Sequence, residues 1–138
     1  MKAGINHMQQ HEGTHMATTV LYIGRVLFGV YFIFSGYNHF AQLGMMSGYA
    51  KSKGVPLAKA SVAATGALLV LGGLSVLLNQ FVVFGLVALA VFLIPVTFMM
   101  HSFWKLQDPM ARMGDMVNFS KNLALLGAVL LLLAQVLS

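Results

Sequence analysis

Two histidines, a tryptophan and two asparagines near the ends of apolar segments are the side chains in this sequence best suited to binding a ligand. His39 closes the first segment, His101 and Trp104 follow the third, and Asn118 and Asn122 lie in the fourth. Imidazole and amide groups offer hydrogen bonds to carbonyl oxygens, and an indole ring offers an aromatic wall. Together such groups can hold a ligand that has a flat ring and polar oxygens, so we predict a ligand site where these segment ends meet.

Arg25 is a further candidate, because a charge inside a bilayer is costly unless it has a function or reaches water. At about 100° per residue, Arg25 shares one face of a helix with Gly29, Phe32, Gly36 and His39. We predict that this face points toward the other helices and that Arg25 joins the binding residues. The alternative is that the Arg25 guanidinium extends to the outer head groups.

The elements that must position these side chains are four apolar runs of about 20 residues, the length of a helix that crosses ~30 Å of hydrocarbon. The runs cover residues 19–40, 57–78, 81–100 and 116–137. The chain is 59% hydrophobic and 8% charged, with a mean hydropathy of +0.83, whereas a soluble domain has about 25% charged residues. We therefore predict an all-α integral membrane protein, a four-helix transmembrane bundle made of two antiparallel helical hairpins.

The connections between the runs support this arrangement. Only residues 79–80 separate the second run from the third, and so short a turn forces an antiparallel hairpin. Residues 43–53 suit a short interfacial helix that ends at Gly54. Asp108 and Pro109 suit the N-cap and first position of a helix that begins before the fourth run. The first and third helices then run in the same direction, which brings the ends that carry the candidate binding residues to one side.

Residues 1–18 are a polar tail that we expect to be disordered or left over from cloning, and residues 19–138 are the transmembrane domain. The tail carries His7, His11 and His15 at intervals of four residues. Such a set binds metal only if the tail is helical, and no ligand set with diagnostic metal spacing is present elsewhere, so no metal site is predicted.

Charge predicts the orientation of the chain in the membrane. Six basic residues lie in or beside the two long connections: Lys51, Lys53, Lys59, Lys105, Arg112 and Lys121. The opposite side carries Lys2 and no charge in the 79–80 turn, so both long connections are expected in the cytoplasm and both termini outside. The net charge of +5 is scattered, and no nucleic-acid partner is expected. The chain has no cysteine, which excludes disulfides and thiol chemistry.

Glycines within the runs indicate where helices meet. Gly29 and Gly36 are one heptad apart in the first run, and Gly66 and Gly73 are one heptad apart in the second. In lipid, close approach of two backbones drives helix association, so these glycines suit a seam of the bundle.

From residue 19 onward the sequence resembles the DoxX family of small bacterial membrane proteins. The motifs that carry the resemblance are Gly24-Arg25, Phe34-Ser35-Gly36 and His39-Phe40, Lys53-Gly54-Val55-Pro56, Gly72-Gly73-Leu74-Ser75, Pro95-Val96-Thr97, His101-Ser102-Phe103-Trp104-Lys105, and Asp108-Pro109. The resemblance implies a four-helix protein of the bacterial cytoplasmic membrane. One related branch is the membrane subunit of a thiosulfate:quinone oxidoreductase, and other members associate with membrane oxidative-stress systems. No catalytic residue is carried over.

Three functions are compatible with these observations. The first is a redox-linked, quinone-interacting subunit of a membrane oxidoreductase system, with electrons from a partner because no haem or iron–sulfur ligand set is evident. The second is a non-catalytic accessory or assembly subunit, packed against other membrane subunits or copies of itself. The third is a small-solute transporter with Arg25 and His39 at the ends of a path, but almost nothing polar lies between them. No tightly bound cofactor is expected, and haem between His39 and His101 is not expected at the membrane edge. Whether the protein is an enzyme is left open.

Overall fold

The computed structural model describes the backbone of residues 2–138 and the side chains of residues 13–138. The described chain is almost entirely helical and has no strand. Its helices are α1 (Lys2–Ala41), α2 (Leu43–Ser52), α3 (Ala58–Leu78), α4 (Val82–Met100) and α5 (Pro109–Leu137), with a 3₁₀ turn at Phe103–Lys105. In the described part of the chain, α1, α3, α4 and α5 are long and apolar enough to cross a membrane. The predicted four-helix transmembrane bundle is therefore confirmed.

The helix boundaries follow the predicted runs with two extensions. Helix α1 continues from the predicted span toward the N-terminus through the polar tail, and the side chains of His7 and His11 lie outside the described residues. Helix α5 begins at Pro109 rather than at 116. The Asp108 carboxylate accepts a hydrogen bond of 2.7 Å from the Ala111 N–H, which confirms the predicted N-cap.

Helices α1 and α3 pack antiparallel along four glycines, called here the glycine seam: Gly29, Gly36, Gly66 and Gly73. A Cβ added at Gly29 would lie 2.8 Å from the Gly73 carbonyl oxygen, and one added at Gly36 would lie 2.7 Å from the Gly66 carbonyl oxygen. Both distances are shorter than real Cβ contacts, so the two backbones meet where only glycine fits. The predicted seam is confirmed, and it joins the first helix to the second.

The turn between α3 and α4 folds the middle of the chain into a tight hairpin. Asn79 ends α3 in the left-handed region (φ 56°), which asparagine tolerates better than most residues. The Gln80 N–H donates to the Ser75 carbonyl oxygen at 3.0 Å. Small residues again permit close packing, since a Cβ added at Gly72 would lie 3.0 Å from the Gly85 carbonyl oxygen.

The four long helices pack in the order α1, α3, α4, α5, with α3 and α4 in the middle. Among the described residues, α1 and α5 do not pack closely against each other. The side chains of Phe32 from α1, Leu69 from α3, Leu89 from α4 and Val129 from α5 instead fill a common buried core. The space bounded by α1, α4 and α5 is thus spanned by side chains rather than by contacting backbones.

Helix α2 is the short helix predicted for residues 43–53, and it packs on α3. It ends where Gly54 adopts a φ of +80°, a conformation that glycine reaches without strain. The Val55 N–H donates to the Ala50 carbonyl oxygen at 3.0 Å and turns the chain back toward α3. Helix α2 is therefore held across one end of the bundle.

The glycine seam predicts a large effect of one added methyl group. We expect Gly36→Ala to lower the free energy of unfolding by about 1–3 kcal/mol, because the new Cβ meets backbone atoms of Gly66 and Val70 that cannot turn aside. The measurement is unfolding of the purified protein in mixed micelles as sodium dodecyl sulfate is titrated.

Gly24→Ala is the matched control on the same helix. Nothing lies within 4 Å of a Cβ added at Gly24, so its effect should stay within about 1 kcal/mol and favour the helix if anything. Equal stability of the two variants would contradict a close-packed seam at Gly36.

Candidate functional site

A cavity of about 810 Å³ lies at the end of the bundle where α1 finishes and α5 begins. All five helices contribute to its wall, which is largely apolar and includes Val62, Phe92 and Leu125. The buried side chains of Phe32 and Leu69 close the cavity toward the core. An apolar hollow of this size suits a small lipophilic molecule or its ring.

Helix α2 and the segment after it cover the cavity at the end of the bundle. Met45, Met46 and Tyr49 contribute from α2, and Val55 and Pro56 follow it. Methionine side chains are flexible and adapt to differently shaped neighbours. The cover is therefore one short helix with a deformable lining rather than a continuation of the long helices.

His39 lies in the last turn of α1 and lines the cavity. Its Nδ1 lies 2.8 Å from the Ser35 carbonyl oxygen, one helical turn earlier. The ring also meets the Phe92 ring edge-to-face, with centroids 5.8 Å apart. These two contacts fix the orientation of the imidazole, and its Nε2 has no hydrogen-bond partner among the residues whose side chains are described.

Asn122 is the polar side chain of the cavity with the strongest need for a partner. Only 7% of the residue is exposed, and it lines the cavity from α5. No other described side chain forms a hydrogen bond with its amide, and the amide atoms are not fully enclosed by the protein. An amide that lines an apolar cavity in this way offers a donor and an acceptor to a polar atom of a ligand.

A charged cluster lies beside the cavity and joins three helices. Asp115 of α5 accepts a 2.9 Å hydrogen bond from the Lys53 ammonium, which follows α2. The other Asp115 oxygen lies 3.3 Å from Nδ1 of His101, at the end of α4, and 3.4 Å from the Tyr49 hydroxyl. The Tyr49 hydroxyl also lies 3.3 Å from the Met100 carbonyl oxygen. We call Tyr49, Lys53, His101 and Asp115 the interfacial ion cluster.

The ion cluster is well shielded from solvent for a group near a helix end. The side chains of Lys53 and Asp115 are 16% and 10% exposed. Partial burial by itself would lower the pKa of Lys53, but the hydrogen bond and charge of Asp115 outweigh burial and raise that pKa above its ordinary value. Lys53 therefore stays charged over the whole physiological pH range and holds α2 against α5.

The structure brings together three of the six residues predicted to bind a ligand. His39, His101 and Asn122 all line the cavity, and Lys121 lines it as well. Trp104 is 49% exposed and packs edge-to-face on Phe103 and Phe119 outside the cavity.

Asn118 and Arg25 also lie away from the cavity. The Asn118 side-chain oxygen accepts a 3.0 Å hydrogen bond from the Lys121 ammonium. Arg25 is half-buried and forms no ion pair with any described residue. Trp104, Asn118 and Arg25 thus do not line the cavity, and the binding roles expected for them remain predictions.

Asp115 and Tyr49 are the residues that sequence reasoning overlooked, and Lys53 was read only as an orientation signal. A signal for Asp115 was available: it is one of three acidic residues in the chain, and it precedes Asn118 and Asn122 at helical spacing. A carboxylate at the start of a membrane span needs a partner. The identity of that partner depends on where α2 folds back, which spacing along the chain does not reveal.

The ion cluster predicts a stability loss for Lys53→Met. At pH 8 the free energy of unfolding should fall by about 2 kcal/mol, less than the ~3–5 kcal/mol of a fully buried pair because solvent screens this one in part. The cause is the Asp115 charge left without its ammonium partner. The double variant Lys53→Met/Asp115→Asn should recover most of the loss, because it removes both charges.

The same measurement over pH checks the sign of the Lys53 effect. Charged Lys53 stabilises the fold below the pKa of a lysine in the unfolded chain, roughly 10.4, and that contribution is lost as pH rises through the higher pKa of the folded protein. The gap between the wild type and Lys53→Met should therefore stay open across neutral pH, and it should close in strongly alkaline solution or in acid strong enough to protonate Asp115, the partner of Lys53. A gap that closes between pH 5 and 8 would contradict the assignment.

The sequence that builds this site was compared with known protein families. A family model described as DoxX matches residues 20–102, more than half of the chain. No curated protein and no solved structure matches the chain. The matched stretch holds the glycine seam, His39 and His101, whereas Asp115 and Asn122 follow it along the chain. The chain therefore belongs to the DoxX family.

Proposed function

We propose that this protein is a quinone-binding subunit of a membrane oxidoreductase system and that the cavity beside α2 is its quinone site. The observation that carries the proposal is the Asn122 amide, which belongs to a largely buried residue, lines an apolar cavity and has no hydrogen-bond partner among the described side chains. A quinone head combines what this cavity requires, a flat apolar ring and oxygen atoms that exchange hydrogen bonds.

The position of the cavity supports a ligand that moves within the bilayer. It lies at one end of membrane-spanning helices, and α2 covers it where the membrane surface would lie. A quinone with an isoprenoid tail reaches such a site laterally, with its tail in lipid and its head at the interface. The Phe92 ring beside His39 supplies an aromatic wall.

The balance of the reaction requires a partner. Conversion of a quinone into a quinol consumes two electrons and two protons. In this proposal the electrons come from an oxidoreductase subunit that packs against the bundle. The His101–Asp115 pair lies beside the cavity and suits proton exchange with bulk water, since histidine titrates nearest neutral pH.

The proposal includes an orientation in the bacterial cytoplasmic membrane. The two long connections carry most of the basic residues, which favours the cytoplasmic side for them and for the cavity, with both termini outside. The electron-donating partner would then approach from the cytoplasm.

Asn122→Leu tests the site because its two expected effects have opposite signs. Leucine has a similar volume and needs no hydrogen bond, so the ligand-free protein should be as stable as the wild type or more stable by about 1–3 kcal/mol. Affinity for a benzoquinone with a ten-carbon tail should fall about tenfold, the equivalent of ~1.4 kcal/mol. Quenching of the Trp104 fluorescence or equilibrium dialysis in micelles measures the affinity.

Asn38→Leu is the matched control, because Asn38 precedes His39 on α1 and does not line the cavity. It should leave the quinone affinity unchanged. If no protein in the series, including the wild type, binds the quinone, the proposed function is wrong and an accessory role in a larger complex becomes the better account.

A further inference from the structure

The two histidines of the cavity are held with the same nitrogen turned toward the protein. Nδ1 of His39 lies 2.8 Å from the Ser35 carbonyl oxygen. A carbonyl oxygen can only accept a hydrogen bond, so this Nδ1 carries the proton. In a neutral imidazole the other nitrogen, Nε2, is then an acceptor with a free lone pair.

His101 is held in the same way by a different partner. Its Nδ1 lies 3.3 Å from an Asp115 carboxylate oxygen. Asp115 is ionised against the Lys53 ammonium at 2.9 Å, so the carboxylate also only accepts. The neutral His101 ring therefore has a proton on Nδ1 and an acceptor at Nε2.

Both Nε2 atoms lack a hydrogen-bond partner within the described part of the chain, and both rings line the cavity. A neutral acceptor binds a ligand hydroxyl and has no proton to offer a ligand carbonyl. Of the other polar groups in the lining, the Asn122 amide has both a donor and an acceptor and so serves either kind of oxygen. The Lys121 ammonium donates to the Asn118 side chain, and the Ser61 and Thr65 hydroxyls donate to backbone carbonyl oxygens. The two Nε2 atoms are the groups that can only accept, so the histidines distinguish one ligand oxidation state from the other.

We infer that the cavity selects the reduced, hydroxyl-bearing form of its ligand, a quinol, over the corresponding quinone. This inference rests on the proposed function and narrows it. A quinol presents two O–H donors, which match the Nε2 acceptors of His39 and His101. A quinone presents two carbonyl oxygens. These oxygens and the Nε2 atoms are all acceptors, so they cannot form hydrogen bonds with one another.

Three ligands that share one ring and one ten-carbon tail test the inference on the unmodified protein. They are the benzoquinone, its hydroquinone and the dimethyl ether of that hydroquinone. The ether keeps the shape of the hydroquinone and lacks its O–H donors. Binding is measured without oxygen at about pH 8.5, where imidazole is normally neutral.

The hydroquinone should bind at least about fivefold more tightly than the quinone, the factor that one net hydrogen bond of ~1 kcal/mol supplies. The ether should bind no more tightly than the quinone. If the quinone binds as tightly as the hydroquinone, or the ether equals the hydroquinone, the inference is overturned while the proposed function stands. If none of the three binds, the proposed function fails as well.

His39→Phe separates hydrogen bonding from packing. Phenylalanine keeps a ring against Phe92 and removes the Nε2 acceptor. The affinity for hydroquinone should fall about fivefold relative to the affinity for quinone. If both affinities fall in parallel, His39 acts through packing alone and this assignment of its role is wrong. The comparison of the three ligands on the unmodified protein still decides the inference if this variant does not fold.

Discussion

The close approach of α1 and α3 at the glycine seam is the contact on which the rest of the molecule depends. Two pairs, Gly29 with Gly73 and Gly36 with Gly66, place backbone against backbone at two levels separated by one heptad. Two such levels fix both the register and the antiparallel direction of these helices. In lipid, where burying apolar surface offers little gain, contacts of this kind supply most of the association.

The cavity is a consequence of which helices pack against each other. Because α1 packs on α3 and not closely on α5, the volume bounded by α1, α4 and α5 must be filled by side chains. In the middle of the bundle, large residues such as Phe32 and Leu89 fill it. Toward the end of α1 the side chains include His39 and Asn122, and the filling is incomplete. One arrangement of backbones thus produces a packed core at one level and a ligand-sized space at the next.

A cluster of charged residues lies at the edge of this space. Lys53, Asp115 and His101 come from three separate segments and meet beside the cavity, where each supplies a partner that the others need. The Lys53–Asp115 pair is shielded enough that its loss is expected to destabilise the protein. It also lies close enough to the surface to avoid the full cost of burying two charges in hydrocarbon. The same Asp115 carboxylate orients the His101 ring through Nδ1, so the residue that pairs with Lys53 also leaves Nε2 as the imidazole nitrogen without a partner in the described part of the chain.

Local signals were strong for the elements themselves. Run length and hydropathy predicted the four membrane helices, Asp108 and Pro109 predicted the start of α5, and the spacing of the glycines predicted the seam. Each of these depends on residues that are near neighbours along the chain or on the length of a bilayer, so one stretch of sequence contains the information. The sequence also predicted that His39, His101 and Asn122 lie at the same end of the bundle, because helix direction alternates with each crossing of the membrane.

The chain by itself thus determined which segments cross the membrane and which polar residues share one side. The tertiary structure alone decided that Asp115 meets Lys53 and His101, that Trp104 packs with Phe119 away from the cavity, and that the Asn122 amide faces the cavity unpaired. These facts depend on how each helix is rotated about its axis and on where α2 folds back. Both are set by contacts between residues far apart in sequence, and no local pattern encodes them.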